Sequence, residues 1–317
     1  MRHESIWQAS AEARPYAPLS ADARVDVAII GGGLTGLTTA YALARAGKRV
    51  AVLEQGRLGS GTTGHTTAMI TQIFDTSLSQ LCRDYDDETA RGVWQAGRLA
   101  IGFIEDVVRR EALDCDWRRV PAYYFAADAD AAERVDAEAH LARRLGFVAD
   151  FTRERALPPM RHGAMRVAHQ GQFHPLRYLF GLAECLTRMG VQIYEKSHVE
   201  RVHFGDPCLL EANGCVVSAR DVVVATRMVV TDALFATRVQ AYESYVLGWR
   251  VPRGALPSIL AWDTDTPYHY WRLVAQADAD VLLVGGADHR TGQVSDTGAH
   301  YRMLRAYAQS VLKGIPH

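Results

Sequence analysis

The stretch from Asp26 to Glu54, "DVAIIGGGLTGLTTAYALARAGKRVAVLE", narrows the possible folds more than any other feature of the chain. The apolar run Val25–Ile30 fits a strand buried on both faces of a parallel sheet. It runs directly into "GGGLTG". Leu37, Ala40, Tyr41 and Ala44 then recur at helical spacing, up to a stop at Gly47. Lys48–Glu54 predicts a second strand. Strand, tight turn, helix and strand within about thirty residues is the size of a βαβ unit.

Inside that unit Gly31, Gly33 and Gly36 match G-x-G-x-x-G, with a strand before and a helix after. Gly31 permits the tight turn, Gly33 lets backbone approach a pyrophosphate, and Gly36 lets the helix pack close to the strands. The amides of Leu34 and Thr35 open the helix, where free N–H groups and the positive dipole end favour an anion. Glu54 ends the second strand, where a carboxylate accepts hydrogen bonds from a ribose and repels a 2′-phosphate. A dinucleotide site that disfavours NADP is expected.

The next segment, "QGRLGSGTTGHTTAMIT", bears on which dinucleotide. Its small side chains and backbone amides, at Gln55, Gly61, Thr62, Thr63, His65 and Thr66, could line the pyrophosphate and ribityl chain of FAD. An NAD site has no evident need of this second small-residue loop.

Elsewhere the chain alternates helical and strand patterns. Asp87–Ala112 predicts a long amphipathic helix with Val93, Ala96, Ala100, Phe103, Ile104 and Val107 on one face. "CDWRRVPAYYFAAD" reads as strands, and "DADAAERVDAEAHLARRLG" as a polar helix ending at Gly146. Pro175–Arg188 is a further helix, followed by a meander through "VQIYEKSHVERV", "CLLEA", "CVVSA" and "DVVVAT". Aromatic strands fill 241–286, and "YRMLRAYAQSVL" is helical. This order predicts an α/β fold with an interleaved pair of domains. Residues 1–20 form an arm anchored by Trp7. Residues 21–112, 160–235 and 281–317 form the dinucleotide domain. Residues 113–159 and 236–280 form the substrate domain.

Composition excludes several classes. A formal net charge of −1 offers no basic field for nucleic acid. The cysteines, Cys82, Cys115, Cys185, Cys208 and Cys215, are odd in number and contain no C-x-x-C pair, so no zinc site or disulfide framework is expected. Cys208 and Cys215 could face each other across a hairpin. No apolar run is long enough to span a bilayer. A reduced, soluble, cytoplasmic protein without a metal site is the expectation.

The segment "DVAIIGGGLTGLTTAYALARAGKRVAVLEQGRLGSGTTGHTTA" resembles the FAD-dependent oxidoreductases related to D-amino acid oxidase, glycine oxidase and sarcosine oxidase. It is most similar to a bacterial branch often fused to a Rieske iron–sulfur domain. "GQFHPLRYLFGLAECLTRMGVQIYEKSHVERV", "ARDVVVATR", "YVLGWRV" and "VLLVGGADHRTG" extend the resemblance over roughly residues 5 to 310.

The resemblance implies a glutathione-reductase-type Rossmann domain interleaved with an antiparallel-sheet substrate domain. It implies hydride transfer from an amine-bearing carbon to flavin N5, followed by hydrolysis of the imine in water. It places Val199 beside the adenine and Ala225 and Thr226 beside the flavin or pyrophosphate. The substrate would be a small amine or amino acid, and the electron acceptor oxygen, a quinone or an iron–sulfur partner. In the family a last strand and glycine-rich turn lead to a helix facing the flavin. No second late glycine cluster follows "VGGADHRTG", and no C-x-H…C-x-x-H Rieske set occurs. C-terminal truncation is therefore expected, with an FAD-binding protein of little activity alone as the alternative reading. An NAD-dependent dehydrogenase is the third.

Several side chains keep two or more readings. His65 is open to a structural role in its loop, to a role as a polar flavin neighbour, and to the covalent flavin link that a similarly placed histidine makes in dimethylglycine dehydrogenase relatives. Tyr268, Tyr270 and Arg272 in "YHYWRL" alternate, so they could share one face and bind a substrate carboxylate, or pack as an ordinary amphipathic strand. Tyr242 and Tyr245 carry the same pair of readings. His174 could cap the helix after it or face the pocket, and His289 reads as structural.

Overall fold

The computed structural model describes residues 5–226, 240–292 and 296–313. The chain divides into two compact units. Unit 1 comprises 1–68, 106–117 and 173–239, and unit 2 comprises 69–105, 118–172 and 240–317.

Unit 1 is built on a six-stranded sheet. β1 (Ala23–Ile30) lies at its centre, flanked by β2 (Val50–Leu53) and β10 (Cys215–Val224), both parallel to it. β7 (Gln192–Tyr194) extends the parallel part beyond β2. β9 (Cys208–Ala212) and β8 (Val199–His203) add an antiparallel hairpin beyond β10. One face is closed by Leu19, Val25, Ala28, Leu53, Leu210 and Val217. Helices α1 (Leu34–Arg45) and α5 (Pro175–Arg188) pack on each other and bury Leu37, Ala40, Leu179 and Leu182. The expected four-part meander resolves differently. "VQIYEK" joins β2 as a parallel strand, while "CVVSA" and "DVVVAT" are one continuous strand, β10.

The cysteine pair also falls out of reach of a bridge. In the β9–β10 hairpin Cys215 lies opposite Ala212 and Cys208 opposite Ala219. All five thiols are free.

Unit 2 is built on an eight-stranded mixed sheet in the order β11 (Tyr242–Val251), β14 (Asp280–Arg290), β13 (Tyr270–Val274), β12 (Leu260–Asp263), β4 (Arg118–Phe125), β6 (Ala164–Gln172) and β3 (Met69–Ile70). β5 (Asp150–Thr152) pairs with β6. One face packs Trp271, Leu273, Leu282 and Val284 with Leu304 and Ala308 of α6 (Thr297–Val311) and with Leu312 at its C-cap. The other face packs Val120, Ala122, Val167 and Leu260 beneath α2 (Leu78–Asp84), α3 (Asp87–Arg110) and α4 (Ala129–Arg144).

These units divide the chain elsewhere than the expected functional domains. Residues 281–317 lie in unit 2 because β14 is hydrogen-bonded between β11 and β13. Residues 69–105 lie there because β3 pairs with β6 and Trp94 of α3 packs on Phe147. The buried stripe of α3 is also rotated from the expected one. It runs through Ala90, Trp94, Gly97, Ile101 and the expected Val107, with Val93 and Ile104 half-buried beside it, whereas Ala96 and Ala100 are exposed and Phe103 is 40% exposed. Gly97 sets this rotation, because a Cβ there would lie 2.8 Å from the Gln72 Cα.

Candidate functional site

The β1–α1 turn shows why each glycine stands where it does. Gly31 has φ +113°, and a Cβ on it would lie 2.7 Å from the Ala225 carbonyl oxygen at the end of β10. Its N–H donates to Leu53 O, and Ala225 N–H donates to Ile30 O, so the turn is sewn between β2 and β10. A Cβ on Gly36 would lie 1.9 Å from the Gly31 carbonyl oxygen, which fixes how closely α1 approaches the strand end. Gly33 differs. It occupies the N-cap with extended backbone, and a Cβ there would meet only Thr63 Oγ1, at 3.1 Å.

The start of α1 is chemically open to an anion. The N-cap glycine has no side chain to satisfy the first N–H groups, and no acidic residue lies in the first turn. Glu54, just past β2, accepts from Gly32 N–H through Oε2 and from Gly56 N–H through Oε1, each at 2.8 Å. The two bonds orient the carboxylate beside the glycine turn, and its remaining lone pairs can accept from ribose hydroxyls. Gln55 beside it is exposed.

The small-residue loop reaches the same place. Thr62–His65 form a single 3-10 turn, where no regular element was expected. Within it Thr63 Oγ1 accepts the Leu34 N–H at 3.2 Å. That bond uses an oxygen lone pair, so the hydroxyl proton of Thr63 is available to an acceptor at the mouth of α1. Gly61 and Thr62 are exposed, and nothing lies within 4 Å of a Cβ built on Gly61. His65 is exposed, and its Nδ1 lies 3.0 Å from the Gly61 carbonyl oxygen, closing the turn. Thr66 Oγ1 accepts from Ala68 N–H. Val199 opens β8 opposite Ala212, and Ala225 and Thr226 follow β10. Gly33, Leu34, Thr35, Glu54 and Thr63 thus surround one open, donor-rich helix start. The residues present fit a dinucleotide with its pyrophosphate there and its ribose on Glu54.

In unit 2, Tyr268, Tyr270 and Arg272 sit at and before β13. The rings of Tyr268 and Tyr270 touch at 5.7 Å. Tyr270 lies over Gly285, where a Cβ would fall 1.8 Å from its ring, and its hydroxyl is 2.6 Å from Ser244 Oγ. Burial pushes the Tyr270 phenol up to about 12. Burial raises Tyr268 further, with the charges of Asp75 and Asp288 adding to it. Arg272 is 3% exposed. The other two candidate tyrosines part company. Tyr242 is exposed, while Tyr245 is buried and stacks on His289 and His300 at 5.6 and 5.1 Å. His174 is a helix cap: its Nδ1 accepts from Arg177 N–H at the start of α5.

One group that residue patterns did not single out is Asp263, Asp265 and His269, whose ligand atoms lie within 4.8 Å of one another. The buried Asp263 carboxylate already accepts from Asp265 N, His269 N, His269 Nδ1 and Tyr307 Oη. His269 stacks on Tyr307 at 3.4 Å. The group pins α6 to the β12–β13 turn. Its signal in the sequence, an aspartate before a Y-H-Y, is too common to read.

Comparison with known proteins settles the family. Residues 26–317 match the DAO family, described as FAD dependent oxidoreductase. The chain belongs to this family. It is 30% identical to the putative Rieske 2Fe-2S iron-sulfur protein YhfW of Bacillus subtilis, over 99% of this chain and 62% of that protein. It is 28% identical to the gamma-glutamylputrescine oxidoreductase of Escherichia coli, over 70% of this chain and 54% of that protein. The chain thus spans about half to three-fifths of the length of these two relatives. Its fold matches that of glycine oxidase from Geobacillus kaustophilus with a TM-score of 0.71 at 20% identity, covering 91% of this chain and 78% of that one. The family is one of FAD-dependent oxidoreductases. No described helix is long and apolar enough to cross a membrane.

Proposed function

We propose that unit 1 holds FAD and that the chain oxidises a C–N bond of a small amine or amino acid. The observation that carries the reading is the open start of α1, with Gly33 bare, Glu54 oriented by two backbone N–H groups and Thr63 across the Leu34 amide. When bound, FAD supplies the hydride acceptor for the carbon bearing the amine. The α1 amides and the Thr63 hydroxyl hold the pyrophosphate, and Glu54 holds the ribose. The loop Gly61–Thr66, Val199, Ala225 and Thr226 complete the cofactor wall. In unit 2, Tyr268, Tyr270 and Arg272 bind and orient the substrate. Both phenols stay protonated at neutral pH and can donate to a substrate oxygen. The iron–sulfur name of the Bacillus relative makes an iron–sulfur partner the first acceptor to test, before oxygen or a quinone.

The test is reconstitution with FAD, then anaerobic mixing with a panel of amines and amino acids while the flavin absorbance is followed. Yellow protein bleached by an amine supports the proposal. Yellow protein that none of them bleaches confines the chain to FAD binding, and protein that never turns yellow removes the reading. Colour retained in an acid precipitate would show a covalent link, with His65 the residue to check.

A further inference from the structure

The segment before β1 is polar, yet one of its residues is deeply buried. Trp7 is 2% exposed. Its Nε1–H donates to the Thr66 carbonyl at 2.7 Å, across 59 residues of sequence. Its ring meets His174 edge-on at 4.9 Å. Ser10 Oγ lies 3.0 Å from His174 Nε2. The Nδ1 of His174 accepts from Arg177 N–H, so in the neutral ring Nε2 carries the proton and donates to Ser10. Gln8 Nε2 lies 3.3 Å from where a Cβ on Gly64 would stand.

The loop that the arm touches is the one carrying Thr63. α5 supports it as well, since a Cβ on Gly59 would lie 2.5 Å from Leu176 Cδ2 and 2.9 Å from Leu179 Cδ2. Just before the loop Leu58 N–H donates to Glu195 Oε1, and inside it run the short-range bonds of Ser60 N–H to Arg57 O, Gly64 N–H to Gly61 O and His65 Nδ1 with Gly61 O. Such short-range bonds shape the turn without fixing where it lies. The Trp7 bond ties the loop down at Thr66, ahead of the β3–β6 pairing that begins at Met69, and the Thr63–Leu34 bond holds its middle.

We propose that Trp7 is a positioning residue for the dinucleotide: the N-terminal arm is a strap that holds the Thr63 loop against the start of α1. The inference rests on the FAD reading above. Trp7 acts through the loop, so its effect on the cofactor runs through Thr63. Loss of the strap leaves the βαβ unit folded and lets the loop lift, which raises FAD dissociation.

The experiment uses the full chain and four proteins: wild type, W7F, T63V and the W7F/T63V double variant. FAD affinity and release are measured by titrating apo-protein, and the unfolding midpoint of each apo-protein is recorded beside it. W7F keeps an aromatic ring against His174 and loses the N–H donor. It is expected to weaken FAD binding about fivefold, as loss of one hydrogen bond predicts, with little change in the apo midpoint. In the T63V background the same change should have a much smaller effect, because the strap then has no hydroxyl to position. Hydrogen exchange of amides 62–68 should quicken in apo W7F. W7F that binds and releases FAD like wild type overturns the strap while leaving the FAD reading intact. Full additivity of the two substitutions also overturns it, because the effect would then not pass through Thr63. Wild-type protein that takes up no FAD overturns both readings.

Discussion

Gly33 and Gly36 carry the same motif and make opposite demands. A Cβ on Gly36 would sit 1.9 Å from a backbone oxygen, so Gly36→Ala must push α1 off the strand end. It should cost about 3 kcal/mol or more and be seen as a large fall in the unfolding midpoint. A Cβ on Gly33 would face only Thr63 Oγ1 at 3.1 Å. Gly33→Ala should therefore fold with a loss of about 1 kcal/mol or less, as for other small N-cap changes. Its FAD affinity should fall about tenfold, because the methyl fills the approach to the pyrophosphate. Equal stability losses in the two variants would contradict this account. Thiols give a second test. Burial pushes Cys115 up to about 12, so it is a neutral, enclosed thiol at pH 8, whereas Cys215 is half-buried on a strand. A maleimide at pH 8 should label Cys215 well before Cys115 by mass spectrometry. The motif glycines and Glu54 were legible because a local pattern specifies them. The bond from Leu34 to Thr63 was not, since it joins residues 29 apart through a turn with no periodic signal.

At the scale of elements, helix existence was easier to read than helix orientation. Residues 87–110 form the expected helix, but apolar spacing alone chose a stripe that the structure leaves half exposed. What rotates α3 is the close backbone approach at Gly97 together with the size of Trp94. Trp94→Ala should thus cost about 3–5 kcal/mol, while Leu99→Lys, at a site 63% exposed, should shift stability by about 0.5 kcal/mol or less. Chemical denaturation of the two variants checks the ordering. The attachment of α6 is polar as well as apolar, through Tyr307 and Asp263. Asp263→Asn keeps the shape but turns an amide NH2 toward groups that are themselves donors. It should destabilise the chain by about 2 kcal/mol, and Tyr307→Phe by less, since only one bond is lost. The parallel partnership of β12 with β4 was out of reach of the sequence, because Leu260–Asp263 is only four residues long and its partner lies far away in the chain.

At the scale of the whole molecule, interleaving is a consequence of strand pairing. The chain enters unit 1, leaves it at Met69, touches it again through 106–117, and returns at Phe173 to add α5, β7, β8, β9 and β10. The central strand β1 is therefore flanked by strands from distant parts of the chain, β2 and β10. The pairing of β14 with β11 and β13 joins Asp280–Arg290 to the sheet of unit 2, a partnership that the order of helices and strands does not reveal. The same topology predicts how FAD should stabilise the protein. The residues we assign to the cofactor come from three separated segments, 31–36, 54–66 and 199–226, which meet only when unit 1 is folded. FAD then binds the native chain and not the unfolded one, and at a hundredfold excess over its dissociation constant it should add about 2.7 kcal/mol. Hydrogen exchange should slow at 31–36 and 54–66 together, since protecting either segment requires both. NAD at the same concentration should add nothing. Glu54→Gln should reduce the gain, because its amide NH2 would face the Gly32 or Gly56 N–H and turn the side chain away from the ribose. A gain in stability confined to one segment, or matched by NAD, would mean that the three segments do not form a single FAD site.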